Sequence, residues 1–280
     1  MMRRWVLDLR LLRMGAAAGL MVLAASNVAA EEPSEAATAA FNRYRDGVEA
    51  RLVRQHRSAD GFLVRMDATS DARRRSGELV VERLTATGDG EPRGAMLHHW
   101  RGTAFVPGAK AADFERVMRD FNAYTRYYAP QVLWAKVIAE QGDRLQASMR
   151  VSQKHVITVV MDTSYDVTFG RLDGQHGYSV SRSTRIDEVE SAGTKDERVL
   201  SAKDAHGFLW RLNTYWSYEE RDGGLYLQIE TVSLTRGIPR GLGWVVGPFV
   251  ESVPRESLEF TLRATSEVLR RAHDKQQERT

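Results

Sequence analysis

The sequence contains no cysteine and only seven prolines among its 280 residues. Its longest apolar run is also shorter than the roughly 20 residues that a membrane-spanning helix needs. Without cysteine the chain has no disulfide bonds, no thiolate metal site, no cysteine nucleophile and no lipidated N-terminal cysteine. Its stability must therefore come from burial of a core. A chain of about 250 residues buries roughly three quarters of its unfolded surface, which is sufficient for this.

An excess of charge of either sign is also missing once the first 30 residues are set aside. Those residues hold four arginines and one aspartate, and the rest of the chain holds 36 basic and 36 acidic side chains. A neutral chain lacks the positive field that nucleic-acid binding uses, so no nucleic-acid partner is expected. The contents of 28% charged and 9% aromatic residues are typical of a globular protein.

The first 30 residues have the pattern of a signal peptide. Arginines precede an apolar run of about twelve residues at positions 14–25, and small residues follow at 27–30. A run of this length is typical of a signal peptide rather than of a membrane span. We expect cleavage after Ala30 and an exported mature protein, periplasmic or secreted; a retained anchor is the alternative.

The remainder begins with an extension whose helix is indicated by apolar residues at helical spacing from Phe41 to His56. The basic run of Arg73, Arg74 and Arg75 is interpreted as a solvated loop, because no wider basic field surrounds it. The predicted organisation is a signal peptide at 1–30, a linker and N-terminal helical extension at 31–94, a main domain at 95–272 and a polar tail at 273–280.

Three β-hairpins follow a first strand and a short amphipathic helix in the main domain. Their turns are placed at Gln141-Gly142, Asp173-Gly174 and Asp222-Gly223, each read as a two-residue loop. These loops give three expected pairs on the apolar faces: Trp134 with Met149, Tyr165 with Arg182, and Trp216 with Ile229. Every hairpin then has one apolar and one polar face, as an antiparallel sheet with a covered side requires.

The last element is a helix predicted to begin after Pro254, with a stripe formed by Leu258, Leu262, Thr265, Leu269 and Ala272. A one-sided apolar sheet and one long amphipathic helix bury both apolar surfaces if the sheet curls around the helix. The predicted fold class is therefore α+β, a curved antiparallel sheet of about seven strands wrapped around a long C-terminal helix, with an N-terminal helical extension. The space between sheet and helix can remain open as a cavity.

The chain between about residues 95 and 272 resembles the START-like (SRPBCC, helix-grip) superfamily of polyketide cyclases and lipid-transport proteins. The resemblance rests on the element order and on three segments: ADFERV through DFNAY at 112–124, GFLWRLNTYW at 207–216, and PFVESVPRESL at 248–258. It implies a helix-grip fold with a hydrophobic ligand between the sheet and the C-terminal helix. The superfamily has no universal catalytic motif, so the resemblance implies fold more firmly than activity.

Arg182 is the most unusual candidate, because its expected register places a guanidinium on an apolar face opposite Tyr165. It could anchor the anionic or carbonyl end of an amphipathic ligand, or it could pair with a core carboxylate or extend to a sheet edge. Both interpretations stay open. The candidate ligand-binding residues are Trp134, Met149, Tyr165, Arg182, Trp210 and Trp216.

Neither a metal nor a cofactor is expected. His98 and His99 are adjacent on a strand and point to opposite faces, so they cannot chelate one ion. The glycine-rich segment 241–247 lacks the strand–helix context and the spacing of a dinucleotide-binding loop. We interpret it as an Ω-type loop at the cavity mouth, with Trp244 and Phe249 packed inward or acting as a gate.

The favoured function is exported, non-catalytic binding of a hydrophobic or amphipathic small molecule; transient membrane contact is left open. One alternative is a cyclase- or dehydratase-type enzyme acting on a hydrophobic carbonyl substrate with Tyr165 and Arg182. That alternative lacks a base, since arginine stays protonated near neutral pH. A third class is an envelope protein that docks a partner through the helix at 41–56.

Overall fold

The computed structural model describes residues 32–84, 94–154, 158–237 and 243–278, and in the last range it describes side chains at 252–274 and 277–278. The predicted signal peptide and its cleavage position lie outside the described residues. No helix within these ranges is both long enough and apolar enough to cross a membrane.

The described chain contains five α-helices and nine strands. The helices are α1 Glu35–Gln55, α2 Ala68–Arg75, α3 Ala111–Arg119, α4 Tyr124–Tyr127 and α5 Gly243–Gln277, with a short 3-10 turn at Phe121–Ala123 before α4. The strands are β1 Val80–Arg83, β2 Ala95–Pro107, β3 Val132–Gln141, β4 Arg144–Lys154, β5 Thr158–Arg171, β6 His176–Glu190, β7 Arg198–Val199, β8 Arg211–Arg221 and β9 Gly224–Arg236.

All nine strands form one antiparallel sheet in the order β1-β2-β9-β8-β6-β5-β4-β3, and β7 pairs with β6. The sheet exceeds the expected seven strands through the short strands β1 and β7. With α5 packed against one face of this sheet, the α+β helix-grip architecture is confirmed. We call the face that packs against α5 the inner face and the opposite one the outer face.

The main core lies between the inner face and helices α3, α4 and α5. Three leucines of the predicted stripe on α5 (Leu258, Leu262, Leu269) are at most 2% exposed. The helix crosses the sheet closely at Gly102, where an added Cβ would lie 2.5 Å from Cδ2 of Leu258. Any larger residue at this point would force the side chain of Leu258 to shift, so glycine suits the close approach.

Helix α5 is longer than predicted, because it begins at Gly243 and Pro254 lies within it. The predicted Ω-type loop at 241–247 is thus wrong for the part that the structure describes, which is helical from Gly243 onward. Pro254 removes one backbone donor without ending the helix. The side chains of Trp244 and Phe249 lie outside the described part, so their packed or gating roles stay predictions.

Helix α1 covers the outer face. It starts earlier than predicted, at Glu35, where Oγ of the N-cap residue Ser34 accepts the N–H of Ala37 at 3.1 Å. Its apolar stripe packs against outward-facing side chains of three strands, and together they form an outer core of Ala37, Phe41, Val48, Leu52, Ala95, Leu97, Tyr215, Val232 and Leu234. The central strands are therefore covered on both faces.

A buried carboxylate lies beneath α1. Glu230 of β9 has no solvent exposure; it pairs with Arg51 of α1, lies 3.0 Å from Nε2 of His99, and accepts a hydrogen bond from Gln228 at 3.1 Å. The hydroxyl of Tyr44 lies 2.8 Å from Nδ1 of the same His99. Burial alone would raise the pKa of Glu230, but the hydrogen bond from His99 and the charge of Arg51 outweigh it and lower this pKa.

The predicted solvated loop of three arginines is also wrong, because these residues end helix α2. Arg74 is buried; it pairs with Asp71, and its guanidinium lies 4.4 Å from the ring centroid of Tyr226. Two factors stabilise this helical turn, namely an intrahelical ion pair and the N-cap Asp67, whose side chain accepts the N–H of Ser70 at 2.9 Å. The expectation of a loop rested on charge alone and could not include the aromatic partner.

Of the three predicted hairpin turns, the one between β8 and β9 is confirmed. Asp222 and Gly223 both have positive φ, and the pair Trp216–Ile229 is found as expected. Between β3 and β4 the loop is Gly142-Asp143, one residue later than predicted, and bulges interrupt β3. Trp134 consequently pairs with Arg150 instead of Met149.

The connection between β5 and β6 is longer than the predicted two residues. The Oδ1 atom of Asp173 accepts the backbone N–H groups of Gln175 at 2.7 Å and His176 at 2.9 Å, which favours a wider turn. The register of β6 shifts by one residue, so that Tyr165 pairs with Ser183 and Arg182 pairs with Asp166. A shift of one residue sends every affected side chain to the opposite face.

The first prediction concerns His56 at the end of α1. Its ring stacks on Tyr178 at 4.3 Å and its Nε2 lies 2.8 Å from Oγ of Ser217. Burial, and then the charge of Arg51, lower the pKa of His56 from 6.5 to about 4. Between these values the unfolded chain binds a proton that the folded chain does not, so folding stability falls as the pH drops through this window.

His56→Gln keeps a hydrogen-bonding side chain but removes this titration. Between pH 7 and pH 5 we expect its free energy of unfolding to fall by roughly 1–2 kcal/mol less than that of the unchanged protein. Urea unfolding of both proteins at the two pH values measures this difference. An identical pH dependence in the two proteins would show that His56 does not stay neutral in the folded state.

Candidate functional site

A row of polar side chains crosses the inner face at the centre of the sheet. Direct cross-strand pairs link Trp100 of β2 to Thr231 of β9, Thr231 to Thr214 of β8, and Thr214 to Ser181 of β6. Directly opposed residues in a sheet point to the same side. These four side chains therefore form one continuous line, which we call the hydroxyl row.

The hydroxyl row borders an open space. Thr231 is the one residue between Gly224 and Thr235 that is not buried, and the other three members of the row are also partly exposed. Strand β9 is paired along both edges, with β2 and with β8, and α1 covers its outer face. The exposure of Thr231 must therefore be directed to the inside. We call this space, which lies on the inner face in front of the hydroxyl row, the inner hollow.

The polar atoms of the hydroxyl row lack partners within the described part of the chain. The indole N–H of Trp100 is buried without a hydrogen bond there, a situation that costs roughly 1–3 kcal/mol. The hydroxyls of Thr231, Thr214 and Ser181 also make no side-chain hydrogen bond to another described residue. In the adjacent row, by contrast, Oγ of Ser183 accepts the N–H of Leu212 at 2.9 Å.

Apolar side chains continue the inner face beyond the row. On β3 and β4 they are the partly buried residues Ala135, Val137, Met149 and Val151, all packed against the main core. This combination of apolar walls and a few polar groups that converge on one place is typical of a small-molecule site.

Three of the six candidate ligand-binding residues lie on the inner face, namely Met149, Tyr165 and Trp216. Trp216 is 5% exposed and contacts Phe114 edge-on at 5.3 Å, so it belongs to the packed core. Tyr165 is also buried, and burial raises the pKa of its hydroxyl. Met149 is partly exposed, and ligand contact by these three residues stays a prediction.

The other three candidates lie elsewhere, and their expected inner position was wrong. Trp134 is 37% exposed beside the outward-pointing Arg150, because the bulge between Val137 and Ala139 shifts its partner on β4 by one residue. Trp210 precedes β8 and packs against the outer core. Arg182 lies on the outer face because of the shifted register of β6.

Arg182 forms a two-pronged ion pair with Glu49 of α1, with Nε–Oε1 and Nη2–Oε2 distances of 2.8 Å. The hydroxyl of Tyr215 donates a third hydrogen bond to Glu49 at 3.1 Å. The hydrogen bonds to Glu49 raise the pKa of Arg182. Of the two interpretations of Arg182, pairing with a carboxylate is therefore the one found, although that carboxylate belongs to the extension.

The hydroxyl row itself was not predicted. Its members alternate with buried outward residues on strands β8 and β9, and Thr214 opposite Thr231 follows directly from the confirmed β8–β9 loop. The signal that could have revealed the row was the presence of polar residues at positions predicted to face inward.

In the described residues, no group of three or more histidine or acidic side chains is arranged to hold a metal ion.

Comparisons with known proteins give resemblances of limited extent. No family model and no curated protein matches this sequence. A protein from Thermus thermophilus is 15% identical, with 61% of this chain and 97% of that chain aligned at a TM-score of 0.45.

Two further solved structures are similar to this chain. A fragment of a STAR-related lipid transfer protein from Xanthomonas axonopodis is 18% identical, covering 68% of this chain and 98% of that one at a TM-score of 0.42. The Zhui aromatase/cyclase from Streptomyces sp. R1128 is 16% identical, covering 63% and 96% at a TM-score of 0.42.

The second prediction tests the position of Arg182. We expect Arg182→Ala and Glu49→Ala each to lower the free energy of unfolding, with a coupling between them of about 1 kcal/mol, since the guanidinium is partly exposed and solvent screens the pair. A double-mutant cycle in urea measures this coupling. Additive effects would mean that the two side chains do not interact in solution.

Proposed function

We propose that this protein binds a hydrophobic or amphipathic small molecule in the inner hollow and does not transform it chemically. The observation that carries the proposal is the inward exposure of Thr231 in a strand that is otherwise buried and whose two faces are covered. Apolar walls would supply affinity through burial of ligand surface, and the hydroxyl row would fix the position of the ligand.

Catalysis is less well supported, because the expected pair of Tyr165 and Arg182 is divided between the two faces of the sheet. A cyclase or dehydratase would need a positioned acid and base near its substrate.

Docking of a partner through α1 is likewise less well supported. The apolar stripe of this helix is already buried against the outer face of the sheet. The ion pairs of Arg51 with Glu230 and of Glu49 with Arg182 bind the same helix to the sheet. A partner would therefore meet mainly the polar side of α1.

The third prediction tests the inner hollow. Thr231→Phe should fill it and reduce ligand uptake by at least tenfold, with at most a modest loss of stability, because the added ring enters open space. Thr184→Phe is the matched control, since Thr184 is exposed on β6. Native mass spectrometry of protein purified from its own host, with lipid extraction, gives the occupied fraction of each variant. Equal occupancy in both variants would contradict binding in the inner hollow.

Export is part of the proposal and gives the fourth prediction. The Arg-bearing, apolar and small-residue segments at 1–30 support a cleaved signal peptide. N-terminal sequencing of protein from the periplasmic or culture fraction should begin at Glu31. An intact N-terminus in a membrane fraction would support a retained anchor instead.

A further inference from the structure

We infer that the hydroxyl row holds an uncharged hydrogen-bonding group of the ligand, such as an ester or ketone carbonyl, at the centre of the sheet. This inference rests on the proposed function and adds to it the chemical class of the ligand. It predicts an apolar molecule with a neutral acceptor within its buried part, and not one anchored there by a carboxylate or a phosphate.

The first step is that the row offers hydrogen bonds that this chain does not use. Thr231, Thr214 and Ser181 make none through their side chains to described residues, whereas nearby hydroxyls do. Oγ of Ser217, for example, lies 2.8 Å from Nε2 of His56 on the outer face. The three hydroxyls are partly exposed and free of side-chain hydrogen bonds to described residues, so they are available to a ligand in the inner hollow.

The second step identifies the kind of group. The indole N–H of Trp100 can only donate, and the three hydroxyls can donate or accept. This N–H is buried, so it is the hydroxyls that face the inner hollow. A carbonyl or ether oxygen there would accept from the hydroxyls of Thr231 and Thr214.

The third step is the absence of charge on the central strands around the row. On the inner face, the hydroxyl row has a parallel row of paired residues on each side. One neighbouring row consists of His98, Ser233 and Leu212, and the other consists of Gly102, Ile229, Trp216 and Ser179. None of these residues is an arginine or a lysine, so a carboxylate placed here would lose its hydration without a guanidinium or ammonium partner on these strands, and that loss costs more than the loss for an ester.

Two arginines on the strands that carry the row or adjoin it do not change this step. Arg182 is turned to the outer face and pairs with Glu49. Arg83 stands opposite Trp100 on the edge strand β1 and is exposed, so its charge lies at the rim and not at the centre.

The fifth prediction compares three ligands whose hydrocarbon chains have similar lengths, namely methyl laurate, tridecane and sodium laurate. Each would displace an apolar fluorescent probe, N-phenyl-1-naphthylamine, from delipidated protein at pH 8. Methyl laurate should bind at least tenfold more tightly than laurate. Thr231→Val and Thr214→Val should each weaken methyl laurate several-fold while changing tridecane little, because each variant removes a hydroxyl and nearly keeps the shape.

Thr168→Val is the matched control on the outer side of β5 and should change none of the three affinities. Laurate that binds as tightly as its ester, or ester binding that is insensitive to both row variants, would overturn the inference while leaving probe binding intact. Laurate binding that is lost in Arg83→Gln would place the polar group at the rim and would overturn it as well. Failure of the probe and of every ligand to bind would instead contradict the proposed function.

Discussion

The buried carboxylate of Glu230 is the interaction on which the layered arrangement of the molecule depends. It lies on the outer face without solvent exposure, and it is stabilised as an anion by Arg51 of α1 and His99 of β2. Because a buried charge that loses its partner is strongly destabilising, α1 is tied to the sheet by more than apolar contact. The central strands of the outer face are therefore covered by α1, and the inner hollow lies on the opposite side of the sheet.

Much of this arrangement follows from patterns that are visible in the sequence. The stripe of Leu258, Leu262 and Leu269 predicted which side of the last helix is buried. The β8–β9 register followed from Asp222-Gly223, because positive φ at both positions permits a two-residue loop that matches the strand twist. These features depend on local sterics and on periodicity, and both can be read over a few residues.

The remaining features depend on contacts between distant residues or on individual hydrogen bonds. Asp173-Gly174 is the same kind of dipeptide, yet the Asp173 carboxylate accepts two backbone N–H groups and widens the loop. Alternation alone cannot reveal that choice, because β6 has small or polar residues at both parities. Glu49, the partner of Arg182, is likewise 133 positions away, and no short-range pattern connects the two.

The same shift of one residue determines the chemistry of the inner hollow. In the predicted register, Tyr178, Val180 and Arg182 would have occupied the inner face, filling it with bulk and adding a cation. In the observed register these positions belong to Ser179, Ser181 and Ser183. Serine is smaller than any of the three and is uncharged, so space and neutrality at this place have one common cause. A ligand with a neutral polar group suits both properties, whereas an anionic one would need the guanidinium that now pairs with α1.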